Sequence, residues 1–143
     1  MNGLTIQDLK VALAAQLVAN VSRQVTVRPY RTPPATRPCI TMDITDITYY
    51  QTMGAYGLAQ LDLNLTLWIA TGDKDSDDVA MSDYLSGGTA NRSSIFDAIN
   101  IDVTLGGAVD SCTCLLVRPP VDIGDDYQAV FPVSILCKKV GGR

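Results

Sequence analysis

The stretch "LAQLDLNLTLWIA" constrains the fold more than any other part of this 143-residue chain. Leu61, Leu63, Leu65, Leu67 and Ile69 fall on one side of an extended backbone, and Gln60, Asp62, Asn64, Thr66 and Trp68 fall on the other. A strand with one apolar and one polar face belongs to an antiparallel sheet covered on one side. A doubly wound parallel sheet would ask for an unbroken apolar run. The remaining segments must supply partners for this strand and a cover for its leucine face.

Helices supply the cover. Thr5 followed by Asp8 resembles a capping box with Asp in place of Glu, and Leu9, Leu13, Leu17 and Val21 then recur every four residues, which predicts an amphipathic helix over roughly 5–20. "RQVTVRPYR" reads as a strand around Val25 and Val27, broken by Pro33, Pro34 and Pro38. "CITMDITDITYY" sets Ile40, Met42 and Ile44 on one face and slips near Asp46, where Ile47 and Tyr49 take over; that is the pattern of a bulge. "YQTMGAYG", with Gly54 and Gly57, predicts a projecting hairpin loop between this strand and the leucine strand.

After Gly72 the chain turns acidic and then helical over about 76–85, with Asp77 and Asp78 near the positive end of the helix dipole. "SGGTANRSS" reads as a flexible break, and "SIFDAINID" as a short helix with Ile95, Phe96 and Ile99 inward. "CTCLLVRPP" and "YQAVFPVSILCKK" read as two more strands, and Pro132 confines the last to an edge or a bulge because proline cannot donate to a ladder. The sum is one α+β domain over residues 1–143 in the order α-β-β-β-α-α-β-β. Its sheet is mostly antiparallel, with four to five strands and helices packed on it.

Composition narrows the chemistry. Fifteen acids stand against eleven Lys and Arg, and every acid is Asp, for a net charge of −4. No basic cluster suited to phosphate contacts occurs, which argues against dedicated nucleic-acid binding. With no histidine, the chain lacks the commonest general base, the Ser-His and Cys-His nucleophile pairs, and mixed Cys/His metal sites. No 18-residue apolar run crosses a membrane, and Asp8 and Lys10 interrupt any signal-like stretch, so a soluble protein assembled in a cytoplasm is expected.

Other residues that could carry chemistry have plainer readings. Asp73, Asp75 and Asp77 match positions 1, 3 and 5 of a calcium loop, but Asp78 stands where glycine is needed and Tyr84 where a bidentate Glu is needed; a solvated loop and helix start fits better. Cys112 and Cys114 share a strand face and Cys137 could approach them, yet no Cys-x2-Cys turn is present; with Cys39 they read as small buried hydrophobes, their redox and metal state open. Asp43, Asp46, Asp125 and Asp126 read as solvated surface. Tyr49, Tyr50 and Tyr56, with Met53 among them, read as interface side chains because aromatic residues concentrate where proteins meet. No catalytic residue, cofactor or metal is expected.

The C-terminal half, "YLSGGTANRSSIFDAINIDVTLGGAVDSCTCLLV" followed by "DDYQAVFPVSILC", resembles the tail terminator (tail completion, or tail-to-head joining) proteins of long-tailed phages. The resemblance lies in Ile95, Ala98, Asp102, Thr104, Leu105, Gly106, Gly107, Val109 and Asp110, then Tyr127, Phe131 and Val133. In that pattern a short helix is followed by a TLGG-V-D turn into a strand, so Gly106 and Gly107 are expected to form the structural turn rather than a ligand cradle.

The resemblance implies a virion protein of the tail or neck: a homo-oligomeric ring, hexameric in the family, that ends tube polymerisation. Its implied partners are the tail tube protein and a head-completion or stopper protein, with DNA passing through the lumen without specific binding. Tyr49, Tyr50, Met53 and Tyr56 would contact ring neighbours or partners, and Asp73, Asp75, Asp77 and Asp78 would line the lumen or lie in a solvated loop. The alternatives are another neck or tail structural protein (tube, head-closure or minor tail) and, from a different class, a small metal-binding protein or carboxylate-using enzyme.

Overall fold

The computed structural model describes residues 5–21, 25–32, 36, 38–52, 55–70, 72, 74–86, 94–102, 104–105, 109 and 111–136. The first helix, α1 (Ile6–Asn20), starts as the sequence predicts. Thr5 N–H donates to Asp8 Oδ2 at 2.9 Å and Asp8 N–H donates to Thr5 Oγ1 at 3.1 Å, so two of the N-terminal donors are satisfied reciprocally. Leu9, Leu13, Leu17 and Val21 are buried. Amphipathicity is weaker than expected, however, because Val11 and Val18 lie seven residues apart on the opposite face and are exposed.

The sheet has six strands in the order β1-β2-β3-β6-β4, with β5 also on β6. They are β1 (Thr26–Val27), β2 (Cys39–Thr52), β3 (Ala55–Ala70), β4 (Ser111–Thr113), β5 (Val121–Ile123) and β6 (Asp126–Leu136). Five of these segments follow the sequence reading; β5 is additional, formed where the chain turns back through Gly124 at a φ of +61°. β1 runs parallel to β2 and all other pairs are antiparallel. The α+β class therefore holds, with a mixed sheet.

The alternation of β3 does what it promised. Leu61, Leu63, Leu65 and Leu67 are buried against α1, α3 (Ile95–Asn100) and the inward faces of β2 and β6, where Ile40, Met42, Ala129, Phe131, Val133 and Ile135 close the core. Burying each such large side chain is worth about 1.5–3 kcal/mol. The slip near Asp46 is a bulge: Ile44 pairs with Leu63 and Asp46 with Asp62, leaving Thr45 extra. That extra residue keeps Ile47 on the same side of the sheet as Ile44. A second shift follows between Thr48 and Tyr49.

Two expectations are corrected. "YQTMGAYG" is no open loop: β2 runs to Thr52 and β3 starts at Ala55, with Tyr50 paired to Gly57 and Gln51 to Tyr56, because β pairing satisfies backbone groups that a loop would leave to water. Pro132 lies neither on an edge strand nor at a bulge. It pairs with Asn64 in β6, which sits between β3 and β4/β5.

The position of Pro132 has a local reason. The Val130 carbonyl accepts from Arg118 N–H at 2.9 Å, so the polar groups of alternate residues, including position 132, face that flank. β4 has ended at Thr113 opposite Ser134, and residues 114–117 form no ladder there. The donor that proline lacks is one the sheet does not need.

Candidate functional site

Among the described residues no group of three or more metal-ligating side chains occurs, and no helix is long and apolar enough to cross a membrane. What the fold presents instead is surface, and it has three distinctive parts.

The first is the β2–β3 arm. Its ladder continues from Tyr49–Leu58 to Thr52–Ala55, whereas β6 is described only to Leu136, opposite Gln60. Within the described residues the outer arm is thus a two-stranded ribbon. Tyr49 is 64% exposed on it, and Ile47, where β2 is still backed by β3 and β6 through Leu61 and Ile135, is 40% exposed. Of the tyrosines singled out from sequence, Tyr49, Tyr50 and Tyr56 share this arm, and Met53 lies outside the described residues. β3 spans 16 residues, so the arm and the acidic segment beyond Ala70 lie about 50 Å apart at roughly 3.4 Å per residue.

The second part is the acidic end. α2 (Lys74–Leu85) starts two residues earlier than predicted, carrying Asp75 and Asp77 in its first turn where the helix dipole favours them. Gly72 N–H donates to Asp77 Oδ2 at 2.9 Å, and Asp75 and Asp78 are exposed. Asp73 lies outside the described residues. Tyr127 Oη donates to Asp78 Oδ1 at 3.1 Å, tying β6 to α2. Burial first, then the hydrogen bond and charge of Asp78 with Asp122 and Asp77 behind it, hold the Tyr127 phenol above its usual range. Beside this pair is a groove of about 340 Å³ with Met81, Leu85 and Pro120 in its walls.

The third part is the polar face of the sheet. Asp62, Asn64, Thr66 and Trp68 sit on the side of β3 away from the core, where Trp68 Nε1–H donates to Thr41 Oγ1 at 2.9 Å. An open groove of about 380 Å³ crosses this face from Thr45 to Leu116 and Arg118, floored by Asn64, Pro132 and Ser134. Leu115 and Leu116 beside it are 85% and 56% exposed.

The glycine turn is anchored in a way the sequence did not reveal. α3 ends at Asn100 and its cap Ile101 is still right-handed helical, so the turn comes later. Asp102 Oδ1 accepts from Thr104 N–H at 3.0 Å and from Thr104 Oγ1 at 2.7 Å, and Leu105 N–H donates to the Asp102 carbonyl at 3.2 Å. Buried Leu105 takes a positive φ of 49°, the position a glycine would favour; Gly106 and Gly107 lie outside the described residues.

Asn100 closes the neck of this segment. Its Nδ2 donates to the Cys114 carbonyl at 3.0 Å and its Oδ1 accepts from Cys114 N–H at 3.1 Å, as a neighbouring strand would. Gln16 Nε2 on α1 donates to the Ala98 and Ile99 carbonyls at 3.0 and 2.9 Å, satisfying the end of α3. Neither has a local sequence signal, since α1 also carries Gln7, Asp8, Lys10 and Asn20 and α3 also carries Asp97. Cys39, Cys112 and Cys114 are buried, and burial pushes the Cys114 thiol up to about 11; Cys137 lies outside the described residues.

No known protein family and no curated protein matches this chain. Among solved structures, a chain from "Virion of native gene transfer agent (GTA) particle" is similar at 15% identity and a TM-score of 0.46. The alignment covers 90% of this chain and 92% of that one.

Proposed function

We propose that this chain is a phage-type virion structural protein of the tail or neck, and within that class a tail terminator that assembles into a ring on the head-proximal end of the tail tube. The observation that carries the reading is the β2–β3 arm: among the described residues a two-stranded ribbon bearing exposed Tyr49, its outer end about 50 Å along β3 from the acidic α2. An isolated ribbon of this kind is marginal in water, and an exposed aromatic side chain on it calls for a protein partner. The resemblance of the Thr104–Asp110 segment to the TLGG-V-D pattern of the tail terminator family supports the same reading, with the preceding Asp102 hydrogen-bonded to its Thr104 and Leu105.

On this reading the arm contacts the tail tube protein or the next subunit, and the opposite end faces a head-completion or stopper protein. Asp73, Asp75 and Asp77 line the lumen, where like charge keeps passing DNA from adhering, and Asp78 lies at the solvated edge of the same segment.

Electron microscopy of the purified protein mixed with tail tubes tests the reading. Rings capping one tube end are expected, and Tyr49→Asp should remove them while leaving the fold intact. Decoration along tube walls, or no tube binding at all, would refute a terminator role.

A further inference from the structure

The groove beside Tyr127 has an apolar wall and an acidic rim. Met81, Leu85 and Pro120 line it together with Asp78 and Tyr127, and Asp77 and Asp122 lie close enough to act on the Tyr127 hydroxyl. Such a site suits a cationic side chain carried beside an apolar or aromatic one.

The chain itself carries that segment. At the β1 edge, Arg28-Pro29-Tyr30-Arg31 exposes Tyr30 by 51%, stacks the Arg28 guanidinium 5.3 Å from the Tyr30 ring centroid and leaves Arg31 exposed. Tyr30 is held by its backbone, whose carbonyl accepts from Met42 N–H at 3.0 Å, so the segment is presented rather than loose. Pro29 adds stiffness.

These two features cannot meet within one molecule. β1 and β5 lie at opposite edges of the sheet, separated by β2, β3 and β6, or on the order of 20 Å at about 4.8 Å per strand. We propose that the Arg28–Arg31 segment of one copy docks into the Asp78–Tyr127 groove of a second copy, with Tyr30 against Leu85 and Pro120 and Arg31 facing the aspartate rim. The contact joins two different faces, so it is head-to-tail and each copy keeps one free donor and one free acceptor surface; repeated, it closes a ring or grows a filament. The size of any ring rests on the function proposed above, but the contact itself does not.

Charge exchange tests the inference on the intact protein. Sedimentation velocity should show concentration-dependent association that weakens as salt rises from about 0.05 to 0.5 M. Arg31→Asp and Asp78→Arg, both at exposed positions, should each weaken it at least tenfold, and Tyr30→Ala to a similar degree. An equimolar mixture of the two charge variants should associate again, since each brings the surface that the other lacks, with copies alternating. That recovery also excludes misfolding as the cause of the losses.

Association unchanged in the single variants, or no recovery in the mixture, would overturn this contact while leaving the virion reading standing. A wild-type chain that remains monomeric at every concentration would overturn it too, and a monomer that binds a synthetic peptide of residues 27–32 only when Asp78 is intact would assign the groove to a different protein. Failure of the tail-capping assay with this contact intact would instead count against the proposed function alone.

Discussion

Replacing Asn100 with alanine isolates the contribution of one side chain to the joint between α3 and the strand that follows. The substitution removes both hydrogen bonds to the backbone of Cys114, a residue whose side chain is fully buried, and leaves its N–H and C=O without this partner. A stranded buried polar group costs about 1–3 kcal/mol, so Asn100→Ala should destabilise the fold by about 2–4 kcal/mol, somewhat below the full sum because Asn100 itself is half-buried. With a urea slope of about 1–3 kcal/mol/M for a domain of this size, the midpoint should fall by roughly 1–2 M with the slope unchanged.

Asn100→Asp should be at least as costly, because a carboxylate oxygen would face the Cys114 carbonyl. Asn20→Ala is the control: its amide donates only to the Gln16 carbonyl in the last turn of α1, at 2.8 Å, and its loss should stay within about 0.5 kcal/mol. A midpoint for Asn100→Ala matching that of the control would refute the claim that Asn100 pins α3 to the strand that follows.

Thr5→Ala breaks the reciprocal cap of α1 and should cost about 1 kcal/mol in thermal or chemical denaturation, with no change in the far-ultraviolet spectrum of the folded state. Cys114 should titrate differently in the two states. Its thiol pKa is raised in the fold, so the stability it contributes is complete below the unfolded value near 9 and is lost as pH rises towards about 11. Alkylation at pH 8 should leave Cys114 unmodified until denaturant is added, and rapid labelling of the native protein would show that its burial is wrong.

Much of the fold was legible in the sequence because its signals are local and periodic. The cap at Thr5 and Asp8, the leucine alternation of β3 and the slip near Asp46 each report a backbone geometry that residues within a few positions impose. The readings that failed depended on neighbours distant in sequence. Pro132 looks like an edge marker until the missing ladder opposite residues 114–117 is seen, and "YQTMGAYG" looks like a loop because glycines weaken a strand whose pairing partner is not apparent from the sequence alone.

The candidate surfaces divide in the same way. Tyr49 stands out in the sequence as a candidate for an interface because an aromatic side chain beside glycines is distinctive, and Asp75, Asp77 and Asp78 stand out because acids at a helix start are. Tyr127 in contact with Asp78, 49 residues apart, and Asn100 in contact with Cys114, 14 apart, left no local trace.

The sequence by itself determined the element types, which face of β3 is buried, where the bulge falls and that histidine-dependent chemistry is absent, since each follows from side-chain period or composition. Tertiary structure alone decided that β6 is central, that β1 joins in parallel, and that a cationic edge and an acidic groove lie on opposite sides of one sheet. Strand order is set by how the apolar faces of all the elements can be buried together, a global condition that no window of the chain contains.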